Sequence, residues 1–275
     1  MTLEPDPVSV TAWKPAVSGV REVLHATFGE HAYPPHTHDT WTLFIVDAGA
    51  IRYDLDGRDR AAEPSMVSVL PPYVVHDGRP ATPAGFRKRV LYLEPDVLGE
   101  DLVGPAVDRP AMVDPELRLA LEGLHDALGC ADDALEAETR LAGVAVRIRR
   151  TLGGPLVHDP RATPAMPATA EELRAYLDAH VFETVTLASV AERLGVGATA
   201  LARSFSATFG IPPHAYVTGR RLDIARDRIL RGHSLADVAV EVGFVDQAHL
   251  TRRFRRFLGT TPGRFGGRAR PGPGR

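Results

Sequence analysis

The segment SLADVAVEVGFVDQAHLTRRFRRFLGTTPGRF, residues 234–265, decides the fold of the C-terminal part of this chain. It opens with a short run of apolar and small residues, which predicts a helix that a second helix can approach closely. Gly243 follows, and glycine readily adopts the positive φ that a tight turn after a helix needs. Leu250 and Phe254 then stand four residues apart, so the next helix buries one face and leaves the other free. This order of features predicts a helix-turn-helix.

The same pattern occurs once more, 48 residues earlier. The run LASVAERLGV at 187–196 aligns with LADVAVEVGF at 235–244, and the helices that follow align after one inserted residue. The matched positions are Leu187/Leu235, Ala188/Ala236, Val190/Val238, Ala191/Ala239, Gly195/Gly243, Leu201/Leu250, Arg203/Arg252, Phe205/Phe254, Phe209/Leu258 and Gly210/Gly259. Any helical hairpin can produce one copy, whereas two copies joined by an arginine-rich helix at 212–231 indicate a pair of helix-turn-helix units.

Residues 234–265 closely resemble the signature of AraC/XylS-type transcription regulators. The most diagnostic parts are GF-x-DQ-x-H at 243–249, RRFRR at 252–256 and G-x-TP at 259–262. The resemblance extends over about residues 171–265. It implies two helix-turn-helix units on one linking helix, which read two successive major-groove faces of double-stranded DNA.

The second unit contains most of the side chains that suit DNA. Gln247 can pair with adenine, and Arg252 is placed for a bidentate contact to guanine. Arg255 and Arg256 suit phosphates, and His249 suits a base or a phosphate. The alternative for these side chains is an ordinary solvated helix face.

In the first unit, the resemblance places the base contacts at Thr199, Ala202 and Arg203, of which only Arg203 is a strong reader of bases. Gly197 stands where the family usually has a serine that caps the helix, whereas Asp246 can cap the second recognition helix. We therefore expect the second unit to contribute more of the sequence specificity.

The net charge of −3 divides unevenly along the chain. Residues 168–275 contain 16 Arg and 10 acidic residues, a net charge of +6, which leaves −9 for residues 1–167. Such asymmetry is typical of a nucleic-acid-binding module joined to another domain. The stretch 153–168 has four Pro and two Gly and predicts a linker, and 266–275 predicts a disordered tail.

Residues 20–95 consist of short apolar runs bounded by Gly, Pro and Asp, a pattern typical of an all-β sandwich or barrel. Between residues 114 and 152 the apolar period changes to that of two amphipathic helices. These helices either cover the β domain or pair with a second copy of the chain.

PPHTHDTWTLFIVDAGAIRYDL at 34–55 and MVSVLPPYVVHDGRP at 66–80 resemble the cupin-like effector-binding domain of the same regulators. An H-x-H on a strand places His36 and His38 on one face, and His76 fits the later histidine of metal-binding cupins. The glutamate of those metal sites falls near Thr42. Three roles therefore stay open for the histidines: contact with an organic effector, binding of a divalent metal, or structural hydrogen bonding. The candidate effector-binding residues are His36, His38, Trp41, Tyr53 and His76, of which the three histidines are also the metal candidates; no cofactor is predicted.

Together these patterns predict an α+β protein of two domains. Residues 1–152 form a cupin-like β-barrel, at about 20–95, with a helical appendage at about 114–152. After the linker, residues 169–265 form an all-α double helix-turn-helix domain.

Several classes of protein are disfavoured. The single Cys130 cannot form an internal disulfide, which fits the cytoplasm. We find no apolar run of the ~20 residues that a transmembrane helix needs, and MTLEPDPVSV lacks the features of a signal peptide. Glycine-rich phosphate loops, a nucleophile elbow and HExxH are absent, so we expect no enzyme.

The sequence thus predicts an effector-responsive, sequence-specific DNA-binding transcription regulator in the cytoplasm, associated with the nucleoid. We expect a homodimer that binds promoter or operator DNA and a small-molecule effector, and RNA polymerase if it activates, which family precedent favours. A metal-dependent cupin enzyme fused to a DNA-binding domain is one alternative. A constitutive DNA-binding protein whose β half only dimerises is the other.

Overall fold

The computed structural model describes residues 8–129, 134–153, 168–183 and 185–266, and the account below refers to these ranges. The stretch predicted to be a linker, the tail after Gly266 and Cys130 lie wholly or almost wholly outside them. The side chain of Thr199 also lies outside the described part, although its backbone belongs to a helix.

Ten antiparallel strands in the first half form two sheets. In chain order they are β1 (Val8–Trp13), β2 (Val20–Phe28), β3 (Tyr33–His36), β4 (Trp41–Gly49), β5 (Ile51–Leu55), β6 (Arg58–Ala62), β7 (Val67–Leu70), β8 (His76–Pro80), β9 (Phe86–Leu93) and β10 (Ala111–Met112). The larger sheet has the order β1-β2-β9-β4-β7-β10, and the smaller has the order β3-β8-β5-β6.

The inner faces of the two sheets pack on each other. Phe44 of β4 meets Tyr53 of β5 edge to face, with ring centroids 6.0 Å apart, and both side chains belong to one buried cluster. The prediction of a β-rich N-terminal domain is confirmed. The sheet starts earlier than residue 20, because β1 pairs with β2 along its whole length, from Val8 opposite Phe28 onward.

Helices cover the outer face of the larger sheet. They are α1 (Pro95–Leu98), a short 3-10 turn (Glu100–Leu102), α2 (Val103–Asp108), α3 (Pro115–Gly129) and α4 (Ala134–Leu152). Asp114 starts α3 by accepting the N–H of Leu117 at 3.0 Å. The apolar faces of α3 and α4 are buried against the sheet, and so the helices pack on their own domain; these side chains are Leu117, Leu121, Leu124, Leu128, Leu141, Val144, Ile148 and Leu152.

Seven helices form the C-terminal half. They are α5 (Ala168–Ala179), α6 (Leu187–Arg193), α7 (Ala198–Phe209), α8 (Pro213–Leu230), α9 (Leu235–Glu241), α10 (Gln247–Leu258) and α11 (Pro262–Gly266). Helices α6 and α7 form the first helix-turn-helix, α9 and α10 form the second, and α8 joins them. The paired positions Leu201/Phe205 and Leu250/Phe254 are almost completely buried. The predicted double helix-turn-helix is confirmed.

The two halves share a hydrophobic core, which the sequence did not predict. One buried cluster contains Leu24 and Phe28 from the β domain together with Ile229, Phe254 and Phe265 from the helical domain. Helices α8, α10 and α11 make these contacts, chiefly with β1 and β3. The linking helix and the second helix-turn-helix are therefore docked on the edge of the β domain.

Candidate DNA-binding and effector-binding sites

Helix α10 has a well-defined start and an exposed polar face. The carboxylate of Asp246 accepts the backbone N–H of His249 at 2.6 Å, which caps the helix. Leu250 and Phe254 hold the opposite face in the core. The exposed half carries four of the side chains predicted to contact DNA: Gln247, Arg252, Arg255 and Arg256.

The exposed arginines of α10 have no carboxylate partner within the described ranges; they are Arg252, Arg255 and Arg256. Other arginines nearby are neutralised, as in the ion pairs of Arg228 with Glu241 and of Arg231 with Asp227. Unpaired guanidinium groups on one exposed helix face are available for phosphates and base edges. The arrangement can therefore bind a polyanion without first breaking an internal ion pair.

His249 differs from its neighbours on α10. Its ring packs edge to face on Phe244, with centroids 5.2 Å apart. The Nε of Arg253 donates to its Nε2 at 3.4 Å. The side chain is thus half-buried and held by contacts within the unit, at the border of the exposed face that carries Arg252.

Helix α7 offers fewer side chains for contacts with DNA than α10 does. Gly197 occupies the cap position, and no side chain caps the helix start. Arg203 is exposed, and it has no acidic partner in the part of the chain that the structure describes. The first unit therefore offers one clear cation where the second offers several.

In the β domain, the structure brings the three predicted histidines together. His36 at the end of β3 lies directly opposite His76 at the start of β8, with ring centroids 4.5 Å apart. The ring of His38 lies 4.8 Å from that of His36 and 5.3 Å from that of His76. One ring nitrogen of each residue lies within 4.8 Å of the other two.

Each of these rings uses Nδ1 as a hydrogen-bond donor. The Nδ1 of His36 donates to the carbonyl of Pro34 at 2.7 Å, and that of His76 donates to the carbonyl of Val74 at 3.0 Å. The Nδ1 of His38 lies 3.0 Å from a carboxylate oxygen of Asp223 on α8. Burial holds the pKa of His36 well below its usual range and lowers that of His76 to about 3, and neighbouring histidine charges act in the same direction.

The structure does not bring the two predicted aromatic residues to the histidines. Trp41 is fully buried in the core between the larger sheet and α3 and α4, and its indole N–H donates to the carbonyl of Pro95 at 3.2 Å. Tyr53 faces the inner core, where burial raises its pKa to about 12. Trp41 therefore lies on the opposite face of the sheet from the inner core.

A buried ion pair connects the β domain to α8 beside these histidines. Arg226 pairs with Glu22 of β2, and both side chains are almost fully buried. Burial opposes the charges of both groups. It raises the pKa of Glu22, whereas Glu22, Tyr92 and Asp223 together hold the pKa of Arg226 above its usual range. The guanidinium carbon of Arg226 also lies 4.3 Å from the ring centroid of Tyr92.

Two further ion pairs cross the same interface. Arg220 of α8 lies 2.9 Å from a carboxylate oxygen of Asp39, and Lys14 lies 2.6 Å from one of Asp227. Burial opposes ionisation of Asp39, but Arg220 and Arg21 outweigh it and lower its pKa. Charged groups therefore align α8 on the β domain between Arg220 and Asp227.

Sequence reasoning missed these interface residues, together with Lys88. The Nζ of Lys88 lies 4.4 Å from the ring centroid of Tyr33, and burial lowers its pKa to about 7. The partners in the interface are about 180 to 213 residues apart in the chain. A local sequence pattern has no means of showing such pairs, because it reports only on neighbours within one element.

Comparison with known families matches both halves of the chain. The family described as AraC-like ligand binding domain matches residues 18–145, and that described as helix-turn-helix domain matches residues 190–268.

In this structure we find no helix with the length and apolar character to cross a membrane among the described residues.

Individual relatives match either a part or most of the chain. The virulence regulon transcriptional activator VirF of Yersinia enterocolitica is 32% identical over 93 residues, which is 34% of either chain. The chain thus spans about a third of the length of this relative. The uncharacterized HTH-type transcriptional regulator YbfI of Bacillus subtilis is 24% identical over 228 residues, 79% of this chain and 81% of YbfI.

The fold is also similar to a solved structure over both domains. Unsaturated-fatty-acid-bound ToxT from Vibrio cholerae strain SCE256 aligns with 98% of this chain and 99% of its own, with a TM-score of 0.54. Its sequence identity of 12% is low. This likeness therefore concerns the fold alone.

Proposed function

The chain belongs to the AraC-like family of transcription regulators, and on that premise we propose that it is an effector-responsive, sequence-specific DNA-binding regulator. The observation that carries the proposal is the repeated helix-turn-helix, in which two recognition helices expose arginines that have no acidic partner in the described ranges. Arg252 reads a guanine, Gln247 reads an adenine, and Arg255 and Arg256 bind phosphates.

The first unit has a supporting part in this scheme. Arg203 reads a base from α7, and Thr199 and His249 complete the predicted set of contacts. His249 acts from its position beside Phe244 and Arg253, so its contact is with the DNA backbone rather than deep in the groove. Because α7 offers a single exposed cation, the second unit supplies most of the specificity.

The effector binds the β domain near His36, His38 and His76. Support comes from the position of these residues against α8, because a ligand there touches the element that links the two DNA-binding units. Ligand binding shifts the population between two arrangements of the domains. The bound fatty acid of ToxT shows that a protein of this fold accepts a small molecule.

The cellular setting follows from the same function. We propose that the protein acts in the cytoplasm on promoter DNA as a homodimer and that it activates transcription by contact with RNA polymerase. The exposed apolar side chains Leu119 and Val146 on α3 and α4 offer a surface for a second copy. The name of VirF, a transcriptional activator, supports activation over repression.

A salt titration of DNA binding tests the proposal. A target site is first selected from a random DNA pool with the purified full chain, and binding is followed by fluorescence anisotropy. The logarithm of the affinity should fall linearly with the logarithm of the salt concentration, because phosphate contacts release counterions. Arg255→Ala should reduce the slope by about 0.9, the value of one phosphate contact.

The matched control is Arg150→Ala, which removes an exposed arginine from α4, outside the DNA-binding domain. It should leave both the affinity and the slope unchanged. Affinity that stays constant between low and high salt, or equal losses in the two variants, would contradict the assignment of α10 to DNA.

A further inference from the structure

The hydrogen bonds of the histidine cluster define where each ring carries its proton. All three Nδ1 atoms face acceptors that have no hydrogen to give: the carbonyls of Pro34 and Val74 and the carboxylate of Asp223. A neutral imidazole that donates from Nδ1 keeps a bare lone pair on Nε2. Because burial lowers the pKa of His36 and His76, each of these two rings presents an unprotonated Nε2, and His38 directs its Nε2 away from Asp223.

These Nε2 atoms accept no hydrogen bond from any residue in the described ranges. The rings lie within contact distance of one another, and His38 and His76 are buried. Two surface clefts, of about 310 and 240 Å³, are lined by other residues. The three rings thus lie together away from these clefts, and one nitrogen of each lies within 4.8 Å of the other two, a spacing from which three imidazoles can share one metal ion.

We propose that His36, His38 and His76 bind one divalent transition-metal ion through their Nε2 atoms, with Asp223 of α8 as the positioning residue behind His38. Three imidazoles suit Zn²⁺, Fe²⁺, Co²⁺, Ni²⁺ or Cu²⁺, whereas Mg²⁺ and Ca²⁺ prefer oxygen ligands. Ligands of a tetrahedral ion at about 2.1 Å lie about 3.4 Å apart, so the cluster contracts slightly when it binds the ion.

The hydrogen-bond partners of the three histidines support a metal site. Histidines that bind metals typically donate their other N–H to a carbonyl or a carboxylate, which orients the ring and increases its basicity. All three rings here have such a partner, and the partners of His36 and His76 belong to the same chain segment as the histidine itself. The partner of His38 comes from the DNA-binding domain instead.

This difference couples the ion to the position of α8. Asp223 also lies 3.5 Å from Arg226, which forms the buried ion pair with Glu22. Movement of α8 away from the β domain removes the carboxylate from His38 and weakens metal binding, and by linkage the metal favours the docked arrangement. The coupling rests on the proposed function, whereas the metal site does not.

Titration with Co²⁺ tests the site directly. The untagged full chain is treated with a chelator, and Co²⁺ is added while the visible absorption of the ion is recorded; Zn²⁺ is then added as a competitor. We expect one Co²⁺ per chain, a spectrum of low coordination number, and its loss on addition of one equivalent of Zn²⁺. A protein that binds no stoichiometric Co²⁺ overturns the proposal.

Two variants assign the ligands. His76→Gln should weaken Co²⁺ binding by more than about 100-fold, beyond the 10- to 100-fold typical of an outer partner. His25→Gln, which changes another half-buried histidine of the same domain, should retain wild-type affinity. If His76→Gln fails to fold by circular dichroism, His36→Asn replaces it. Wild-type Co²⁺ affinity in the folded variant of His76 or His36 overturns the site.

The role of Asp223 is tested with Asp223→Asn, which preserves size and an acceptor oxygen but removes the charge. It should keep the Co²⁺ spectrum and weaken the affinity by about 10- to 100-fold. The matched control is Asp227→Asn, four residues further along α8, which loses the ion pair with Lys14 but does not touch His38. Equal affinities in the two variants overturn the positioning role.

DNA affinity measured with and without Zn²⁺ separates the two proposals. Zn²⁺ should change the affinity of the wild type for its selected site, and the change should shrink in Asp223→Asn. Metal binding with unaltered DNA affinity overturns the coupling. Absence of DNA binding in every metal state overturns the proposed function, while the Co²⁺ stoichiometry still decides the metal site.

Discussion

In the first helix-turn-helix unit, α7 starts at Gly197 without a side-chain cap, whereas in the second unit α10 starts at Asp246, whose carboxylate accepts a backbone N–H. The buried framework of the two units is the same, with Leu201 and Phe205 in one and Leu250 and Phe254 in the other. The repeat therefore preserves the core positions, while the ends and surfaces of the helices have diverged.

The surfaces differ in charge as well. Helix α7 exposes Arg203, and α10 exposes Arg252, Arg255 and Arg256. Since buried positions determine whether the unit folds and exposed positions determine what it binds, this difference indicates unequal parts in DNA recognition.

Both units end in the same way on the β domain. Gly210 after α7 and Gly259 after α10 have φ of +69° and +68°, and both lie against side chains of the β domain. A Cβ at Gly210 would lie 2.5 Å from Val75, next to His76, and one at Gly259 would lie 2.7 Å from Phe28 and His31. The β domain therefore contacts the same end of each recognition helix, close to the histidine cluster.

The largest expected effect compares the two buried phenylalanines. Phe205→Ala and Phe254→Ala should each lower the free energy of unfolding by about 3–5 kcal/mol, measured by urea denaturation, because each leaves a cavity. Phe254→Ala should also loosen the docked domains, since its cluster spans both halves, whereas the cluster of Phe205 is mostly confined to the first unit. Val240→Ala, at an exposed position, should stay within about 0.5 kcal/mol of wild type. If the interface is equally protected from proteolysis in both phenylalanine variants, Phe254 has no special part in holding the two domains together.

The next effect concerns base recognition. Arg252→Ala should lose about 1–3 kcal/mol of discrimination at one base pair, because a bidentate contact to guanine disappears. Arg203→Ala should lose less, since the first unit contributes less of the specificity. Competition assays with singly substituted DNA sites measure both values. The assignment of the main reading role to α10 is wrong if Arg203→Ala relaxes the base preference more than Arg252→Ala.

Gly210 and Gly259 occupy equivalent positions in the two units, and both lie against the β domain. Gly210→Ala and Gly259→Ala should each cost about 1–2 kcal/mol from positive φ, together with the displacement of the neighbouring side chain. Gly232→Ala is the control, because Gly232 has φ of +86° and nothing within 4 Å of its would-be Cβ. A loss of interface protection in hydrogen exchange for the first two variants, but not for Gly232→Ala, is the expected result. Equal interface protection in all three variants would show that the contacts of Gly210 and Gly259 with the β domain do not stabilise the docked arrangement.

The smallest effect concerns the helix caps. Asp246→Ala should lower the stability of the chain by about 1 kcal/mol, because the N–H of His249 loses its acceptor. Gly197→Ser supplies the missing cap of α7 and should raise stability by a few tenths of a kcal/mol. Thermal unfolding of both variants beside the wild type measures these changes. A stabilising Asp246→Ala would refute the role of the cap.

Local patterns were sufficient for the double helix-turn-helix. The apolar pairs, the turn glycines and the cap at Asp246 act within a few residues of one another, so their spacing shows the structure they form. The leucine stripe of α3 likewise predicted its buried face, although the sequence left open whether that face met the β domain or a second copy.

Side-chain placement in the β domain was harder to predict. Trp41 follows the H-x-H motif closely, yet it points to the core under α3 and α4, because alternate residues of a strand face opposite sides of the sheet. The H-x-H spacing predicted that His36 and His38 share one face of a strand; their rings do lie together, but β3 ends at His36 and His38 follows it. Pairing of β3 with β8 added His76.

The sequence by itself determined the two domains, the helix-turn-helix units and the proximity of His36 and His38, since each depends mainly on residues that are close together in the chain. Only the tertiary structure decided that α8 lies on the β domain, that Glu22 and Arg226 form a buried pair, and that Asp223 holds His38. These contacts join residues about 185 or more positions apart. They arise because packing two apolar surfaces brings distant charges together, and the low dielectric of that interface strengthens the pairs that form.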